Sequence, residues 1–376
     1  MSRHFRGGAT QENKQRFVFC AEMKYSLHFL HALRLVTLTI TMPLWLNGRA
    51  TASYCKRKSS RLRVQIPLRA YFNKNKGWKM TSFREKWLAA VEKKNSVLCA
   101  GLDPAEYKMG RSEEGLPESV KDNQDKLAWG MRYLEAVAPY CAAMKANVNY
   151  WKAEGNMESL AVLCELAQEL GLVTIDDSKL ADIGSTNDAG LYHAKQKGFD
   201  AVTLAPFAGN LQETVGFARE RDIDLISMCL MSNPGYESVK NQWVRVEDMD
   251  NFPNPFDTVE IQGVPHVRKY LQLAHDAARY GLDGIVIGAP NKKNHLKDEE
   301  IFIARAYSRD DTLVLLPGVG AQGGEADVIW KYFDKDNVIV NVGRRLMFLK
   351  GSKSTSKQQA EAARHYKEML NESRQK

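Results

Sequence analysis

From Ser82 onward, short apolar runs alternate with longer stretches of helical periodicity, eight times over. The strand candidates are Val97–Leu102, Ala142–Val148, Leu172–Lys179, Ala201–Ala205, Leu225–Met231, Gly284–Ile287, Leu313–Leu316 and Val338–Val342. Runs of four to eight apolar residues bounded by turn formers suit strands buried on both faces. Between them, Met157–Leu170 repeats Leu160, Val162, Leu163, Leu166 and Leu170 at helical spacing. Val267–Tyr280 sets Val267, Tyr270, Leu271 and Ala274 on one face and stops at Gly281, a helix C-cap. Eight β-then-α units over residues 80–376 predict an α/β fold, a (β/α)8 TIM barrel, with an open doubly wound sheet as the alternative.

Charge divides the chain into two parts. The formal net charge of +8 would suggest a nucleic-acid or membrane partner if it were spread evenly. Residues 1–79 instead hold 16 Lys and Arg against Glu12 and Glu22, so they carry +14 and the remainder carries −6. The predicted domains are therefore a basic, disordered extension, 1–79, and an acidic barrel, 80–376, for which neither nucleic acid nor membrane is an expected partner. The extension reads as a transit-like leader, or as a leader ahead of a working start at Met80. Its apolar stretch, Leu27–Leu46, with Ala50-Thr51-Ala52 beyond, mimics a signal peptide. His28, His31 and Arg34 interrupt that stretch and make a membrane span costly. The cluster Lys56-Arg57-Lys58 reads as a solvated run. The expected location is the cytoplasm, with organelle targeting through residues 1–79 as the alternative.

At 44% hydrophobic and 26% charged, the composition excludes collagen-like, disulfide-scaffold and wholly disordered chains. The six cysteines have neither CxxC nor Cys/His spacing, which predicts reduced core residues and no metal site.

A barrel gathers functional groups where its strands end. Those ends read Gly101-Leu102-Asp103-Pro104, Lys145-Ala146-Asn147, Asp177-Ser178-Lys179-Leu180-Ala181-Asp182, Met231-Ser232-Asn233-Pro234-Gly235, Pro317–Gly324 and Gly343-Arg344-Arg345. Strand alternation puts Asp177 and Lys179 on one face and turns Asp176 and Ser178 away. Asp182 follows past the strand end, near the same pocket or across a subunit boundary. A lysine between carboxylates stays cationic against the opposing effect of burial, and so can deliver a proton. A structural ion-pair network at a barrel mouth would read the same way. Four glycines around Gln322, with Gly343-Arg344 closing the eighth strand, suit an anion, because the loops after strands seven and eight commonly hold phosphate in this fold. Lys292-Lys293-Asn294-His295 reads as a solvated loop, Asn241–Gly263 as an inserted loop, and Ser352–Lys376 as a polar terminal helix.

Together, Gly101–Pro104, Lys145, Asp177–Thr186, Met231–Gly235, Pro317–Gly324 and Gly343-Arg344 resemble the orotidine 5′-phosphate decarboxylase family, in the family's order over about residues 82–350. Asp182-Ile183-Gly184-Ser185-Thr186 and the Gln322 loop resemble its bacterial-type branch, from which Leu180-Ala181 departs where Arg-Gly is usual. The resemblance implies conversion of orotidine 5′-phosphate to UMP and carbon dioxide, the last step of de novo UMP synthesis, without metal or cofactor. It implies catalytic roles for Lys179, Asp177, Asp182 and Lys145: Lys179 protonates C6, Asp177 meets the substrate carboxylate, and Asp182 enters from the second subunit of a homodimer. Asp103 and Thr186 would hold the ribose, Thr186 from the partner chain, and Ser232 the pyrimidine. Pro317, Gln322, Gly343 and Arg344 would complete the substrate and phosphate contacts. Two rivals are a magnesium-dependent sugar-phosphate enzyme of the same superfamily and a noncatalytic barrel recruited by its basic extension. Ser232–Gly235 and Asp103-Pro104 argue against the first, the complete charged set against the second.

Overall fold

The computed structural model describes residues 35–40, 62–67, 82–111, 114–153, 155–246, 258–320 and 326–375. The chain divides into two units, Met1–Met80 and Thr81–Lys376. In the first, Leu35–Ile40 and Leu62–Pro67 pair as antiparallel strands, so the centre of the apolar stretch is extended. Cys20, Cys55, Ala50–Ala52 and the Lys56–Lys58 cluster lie outside the described residues. No helix among the described residues is long and apolar enough to cross a membrane.

The second unit is built on eight strands: β1 Leu98–Gly101, β2 Ala143–Ala146, β3 Val173–Leu180, β4 Ala201–Leu204, β5 Asp224–Leu230, β6 Gly284–Ile287, β7 Leu313–Pro317 and β8 Val338–Val342. Each pairs in parallel with the next, and β8 pairs with β1, closing the barrel. Closure rules out the open doubly wound sheet. Helices follow the strands, among them Asn123–Val137 after β1, Asn156–Glu169 after β2 and Gly184–Gln196 after β3. Because both strand faces are covered, β1, β2, β4 and β6 are buried along their whole length, and apart from Lys145 in β2 and Thr203 in β4 their residues are apolar or glycine.

The N-terminal end of the barrel is covered by the helix Phe83–Lys94, which a capping box at Ser82 and Glu85 begins. Phe83 and Trp87 are fully buried. The Phe83 amide donates to the Asp224 carboxylate at the start of β5, and the Trp87 indole to the Asp336 carbonyl ahead of β8. The helix fastens to the strand beginnings, which leaves the C-terminal rim as the open end. The terminal helix Ser356–Gln375 buries Ala362, Ala363 and Leu370 on the flank. Cys99, Cys141, Cys164 and Cys229 are free thiols in the core.

The segment expected to be an inserted loop carries strands. Trp243–Arg245 and Thr258–Ile261 flank Val264–Arg268 in an antiparallel sheet. The signal was Gln262-Gly263: both residues have positive φ, and Ile261 pairs with Val264, which is a two-residue hairpin turn. The following helix accordingly starts at Lys269 rather than Val267.

Candidate active site

At the open rim, the end of β1 and the strands β2 and β3 bring charged groups together. Lys145 rises from β2 with 3% of its surface exposed, and its ammonium donates to Asp177 Oδ2 from β3. Asp103, just past β1, stands 3.8 Å from the same ammonium. Its other oxygen accepts from the Asn147 amide at 2.8 Å, tying the β1 end to the β2 end. Lys179 Nζ lies 2.5 Å from Asp177 Oδ1, with 38% of its side chain exposed. The result is a chain of alternating charge, Asp103–Lys145–Asp177–Lys179, buried at its middle and most exposed at Lys179.

Burial alone would raise the pKa of Asp177, but the adjacent Lys145 and Lys179 ammonium groups outweigh it and hold the carboxyl far below the usual range. Burial likewise opposes the charge on Lys145, yet Asp103 and Asp177 hold its pKa above the ordinary lysine value. Asp176, one residue away, behaves oppositely. Buried on the other face of the strand, it is pushed up to about 7, chiefly by desolvation. Its Oδ1 has no hydrogen-bond partner among the described residues. Two adjacent aspartates are thus shifted in opposite directions because the pleat sends one to two ammonium groups and the other to the covering layer.

The contact between Asp177 and Lys179 needs more than alternation. Lys179 has φ of 53°, in the left-handed region, and the pairing of β3 with β4 shifts register between Asp176 and Leu180. For a residue with a Cβ this conformation costs about 1–2 kcal/mol. Thr203 of β4 offsets that cost. Fully buried, it accepts the Lys179 amide at 3.0 Å and lies 3.1 Å from Asp177 Oδ1. Sequence reasoning missed Thr203. Its signal was modest: the one hydroxyl in the run Ala201–Ala205, on the strand facing the charged set.

The other expected residues occupy the same rim. Ser232 follows β5, and Gly288 past β6 makes room for it: a Cβ there would meet Ser232 N at 2.9 Å. The loops after β5 and β6 are joined by the buried Lys240, which donates to Glu300 at 2.6 Å and to the His295 carbonyl at 2.8 Å. His295 Nε2 lies 3.0 Å from the Asn233 carbonyl, so the stretch around Lys292–His295 packs against the Ser232 loop. Pro317 ends β7 and accepts the Ala289 amide at 2.8 Å. Gly343 and Arg344 follow β8. A Cβ on Gly101 would come within 2.7 Å of Gly343 Cα, so the β1 and β8 ends touch only because glycine stands there. Gln322 lies outside the described residues.

Asp182 and Thr186 do not join the array. Both are exposed at the start of the helix Gly184–Gln196, with Ile183 between them 63% exposed. Asp182 is fixed through its backbone, its amide donating to Asn187 Oδ1 at 3.1 Å and its carbonyl accepting from Asn187 Nδ2 at 2.7 Å. Among the described residues, no three His, Cys, Asp or Glu side chains gather as a metal site would require.

A family model described as orotidine 5′-phosphate decarboxylase / HUMPS family matches residues 96–359, the whole barrel with its rim. The chain belongs to this family. Its relatives include orotidine 5′-phosphate decarboxylase of Herpetosiphon aurantiacus, 31% identical over 290 residues, covering 75% of this chain and 94% of that protein. The enzyme of the same name from Methylibium petroleiphilum is 30% identical over 280 residues, covering 71% of this chain and 90% of its own. Among solved structures, Leishmania donovani OMP decarboxylase superposes with a TM-score of 0.56 at 21% identity, over 77% of this chain and 99% of that one. Leishmania donovani UMP synthase gives 0.58 at 23% identity, over 78% of this chain and 57% of the other. These two likenesses concern the fold.

Proposed function

We propose that this chain decarboxylates orotidine 5′-phosphate to UMP and carbon dioxide, the final step of UMP synthesis. One observation carries the reading: Lys145 and Lys179 both pair with Asp177 at the open rim, and the most exposed member of the array is the Lys179 ammonium.

The chemistry asks for that arrangement. Breaking the bond from C6 to the carboxylate leaves an electron pair on a vinylic carbon, which water stabilises poorly. An ammonium already in position stabilises the developing carbanion without reorganising. Lys179 then gives its proton to C6 and recovers one from solvent. Asp177 orients Lys179 through their ion pair and faces the substrate carboxylate, while Lys145 keeps Asp177 charged. Asp103 serves the ribose and Ser232 the pyrimidine. Pro317 lines the substrate site, and Gln322, Gly343 and Arg344 serve the phosphate end, where binding energy remote from C6 helps to organise the array.

Asp182 and Thr186 enter this scheme from a second copy. Their exposure, with Ile183 between them, supports a homodimer in which each chain completes its neighbour's site. Residues 1–79 are a leader with no part in the chemistry.

The test follows the loss of orotidine 5′-phosphate absorbance with the full chain, with and without EDTA. Conversion to UMP at equal rates in both supports the reading. A folded chain without turnover would refute it, and turnover abolished by the chelator would return the magnesium-dependent sugar-phosphate chemistry to consideration.

A further inference from the structure

Arg344, the one cation at the β8 end assigned above to the phosphate, is already engaged. Its Nη1 donates to Glu114 Oε2 at 2.6 Å, across 230 positions of sequence. Glu114 belongs to the segment after β1 and is held there by backbone. Its amide donates to the Arg111 carbonyl at 3.1 Å, and the Leu116 amide to the Ala105 carbonyl at 2.8 Å. Ala105 and Gly115 form a bridge so close that a Cβ on Gly115 would meet Arg111 O at 2.7 Å and Ala105 O at 2.9 Å. These contacts hold Glu114 where its carboxylate meets the guanidinium. The close approach of Gly101 to Gly343 brings the β1 and β8 ends together in the same region.

We propose that Glu114 is an internal competitor for the phosphate site: its carboxylate occupies Arg344 when no ligand is bound, and the phosphate of the nucleotide must displace it. The inference rests on the assignment of Arg344 to the phosphate. A carboxylate and a phosphate offer the guanidinium the same paired oxygen acceptors, so one can take the place of the other. Displacement is feasible because the pair is open to water, Arg344 being 41% and Glu114 47% exposed in their side chains. Exposed pairs of this kind are weak, which sets the expected effect at about two- to fivefold in affinity. Glu114 thereby lowers affinity for substrate and product alike, and favours release of UMP.

The experiment measures UMP and uridine binding by calorimetry at low salt for the full chain, Glu114→Gln, Arg344→Ala and the double variant. Glu114→Gln should bind UMP about two- to fivefold more tightly and uridine unchanged, because only the phosphate competes. The gain should vanish in the Arg344→Ala background and shrink with added salt. Unchanged or weaker UMP binding by Glu114→Gln overturns the proposal, as does a gain that persists without Arg344, which would mark a general field effect. If Arg344→Ala binds UMP as the unaltered chain does, the phosphate assignment and the competitor role both fall, whereas decarboxylase activity is judged separately by turnover.

Discussion

Replacing Thr203 with valine keeps the volume, the β-branch and the burial of the side chain and removes only a hydroxyl. That hydroxyl has one proton to give. It goes to Asp177 Oδ1 at 3.1 Å in preference to the Asp176 carbonyl at 3.4 Å, while its oxygen accepts the Lys179 amide at 3.0 Å. Thr203→Val therefore strips one hydrogen bond from a buried carboxylate and leaves the amide of a left-handed residue unpartnered. The orphaned amide costs about 1–3 kcal/mol and the lost hydrogen bond to a charged group about 1.5–3 kcal/mol, so the barrel should lose about 2–6 kcal/mol of stability, read from urea unfolding. The larger consequence is catalytic. With its backbone anchor gone, Lys179 can relax out of the left-handed conformation, and a displacement of about 1 Å at a reacting group costs on the order of a hundredfold. We expect kcat for orotidine 5′-phosphate to fall about ten- to a hundredfold in Thr203→Val, and Thr203→Ser, which restores both hydrogen bonds, to recover most of it. A folded Thr203→Val protein with kcat within twofold of the unaltered chain would show that Thr203 does not position Lys179.

Lys179→Ala should lower kcat at least about a thousandfold with little change in unfolding, because its side chain is partly exposed and its loss removes both the proton and the positive charge at C6; wild-type turnover would remove Lys179 from the mechanism. Gly288→Ala drives a methyl into Ser232, whose Cβ would stand 2.8 Å from it, and should cost about 1–3 kcal/mol of stability and raise KM more than it lowers kcat; unchanged KM would detach Ser232 from the substrate. Asp176, with its folded pKa pushed up to about 7, keeps its proton in the native state after the unfolded chain has released it. Its contribution to stability is thus complete near pH 4 and lost as pH rises toward 7, by at most about 4 kcal/mol. Asp176→Asn should be more stable relative to the parent at pH 8 than at pH 5, and an equal difference at both pH values would contradict the assignment. A chain beginning at Met80 should retain full turnover, and loss of activity from that folded protein would give residues 1–79 a part in the chemistry.

Much of the barrel can be read along the chain because its pattern is local. Strands covered on both faces need unbroken apolar runs, and their helices need apolar residues at helical spacing, so both leave marks within windows of a dozen residues. The rim was legible for a related reason: charged and glycine residues are costly at the barrel's closed end and collect in the C-terminal halves of the strands and the loops beyond them. Asp177 could be chosen over Asp176 by the pleat alone. The hairpin at Gln262-Gly263 was also written locally, but its partner strands were too short and polar to stand out from a loop.

What lay beyond reach were the relations between distant segments. The left-handed turn at Lys179 is held by Thr203, on the neighbouring strand, and no property of either residue announces the pairing. The engagement of Arg344 by Glu114 and the contact of Gly101 with Gly343 exist because the last strand closes against the first. The opposite pKa shifts of Asp176 and Asp177 depend on which groups surround them after the barrel has closed. Periodicity and turn chemistry act between residues a few positions apart, and the order of residues records them directly. Ion pairing, burial and backbone strain depend on neighbours in space, so they take their values only once the tertiary fold has chosen those neighbours.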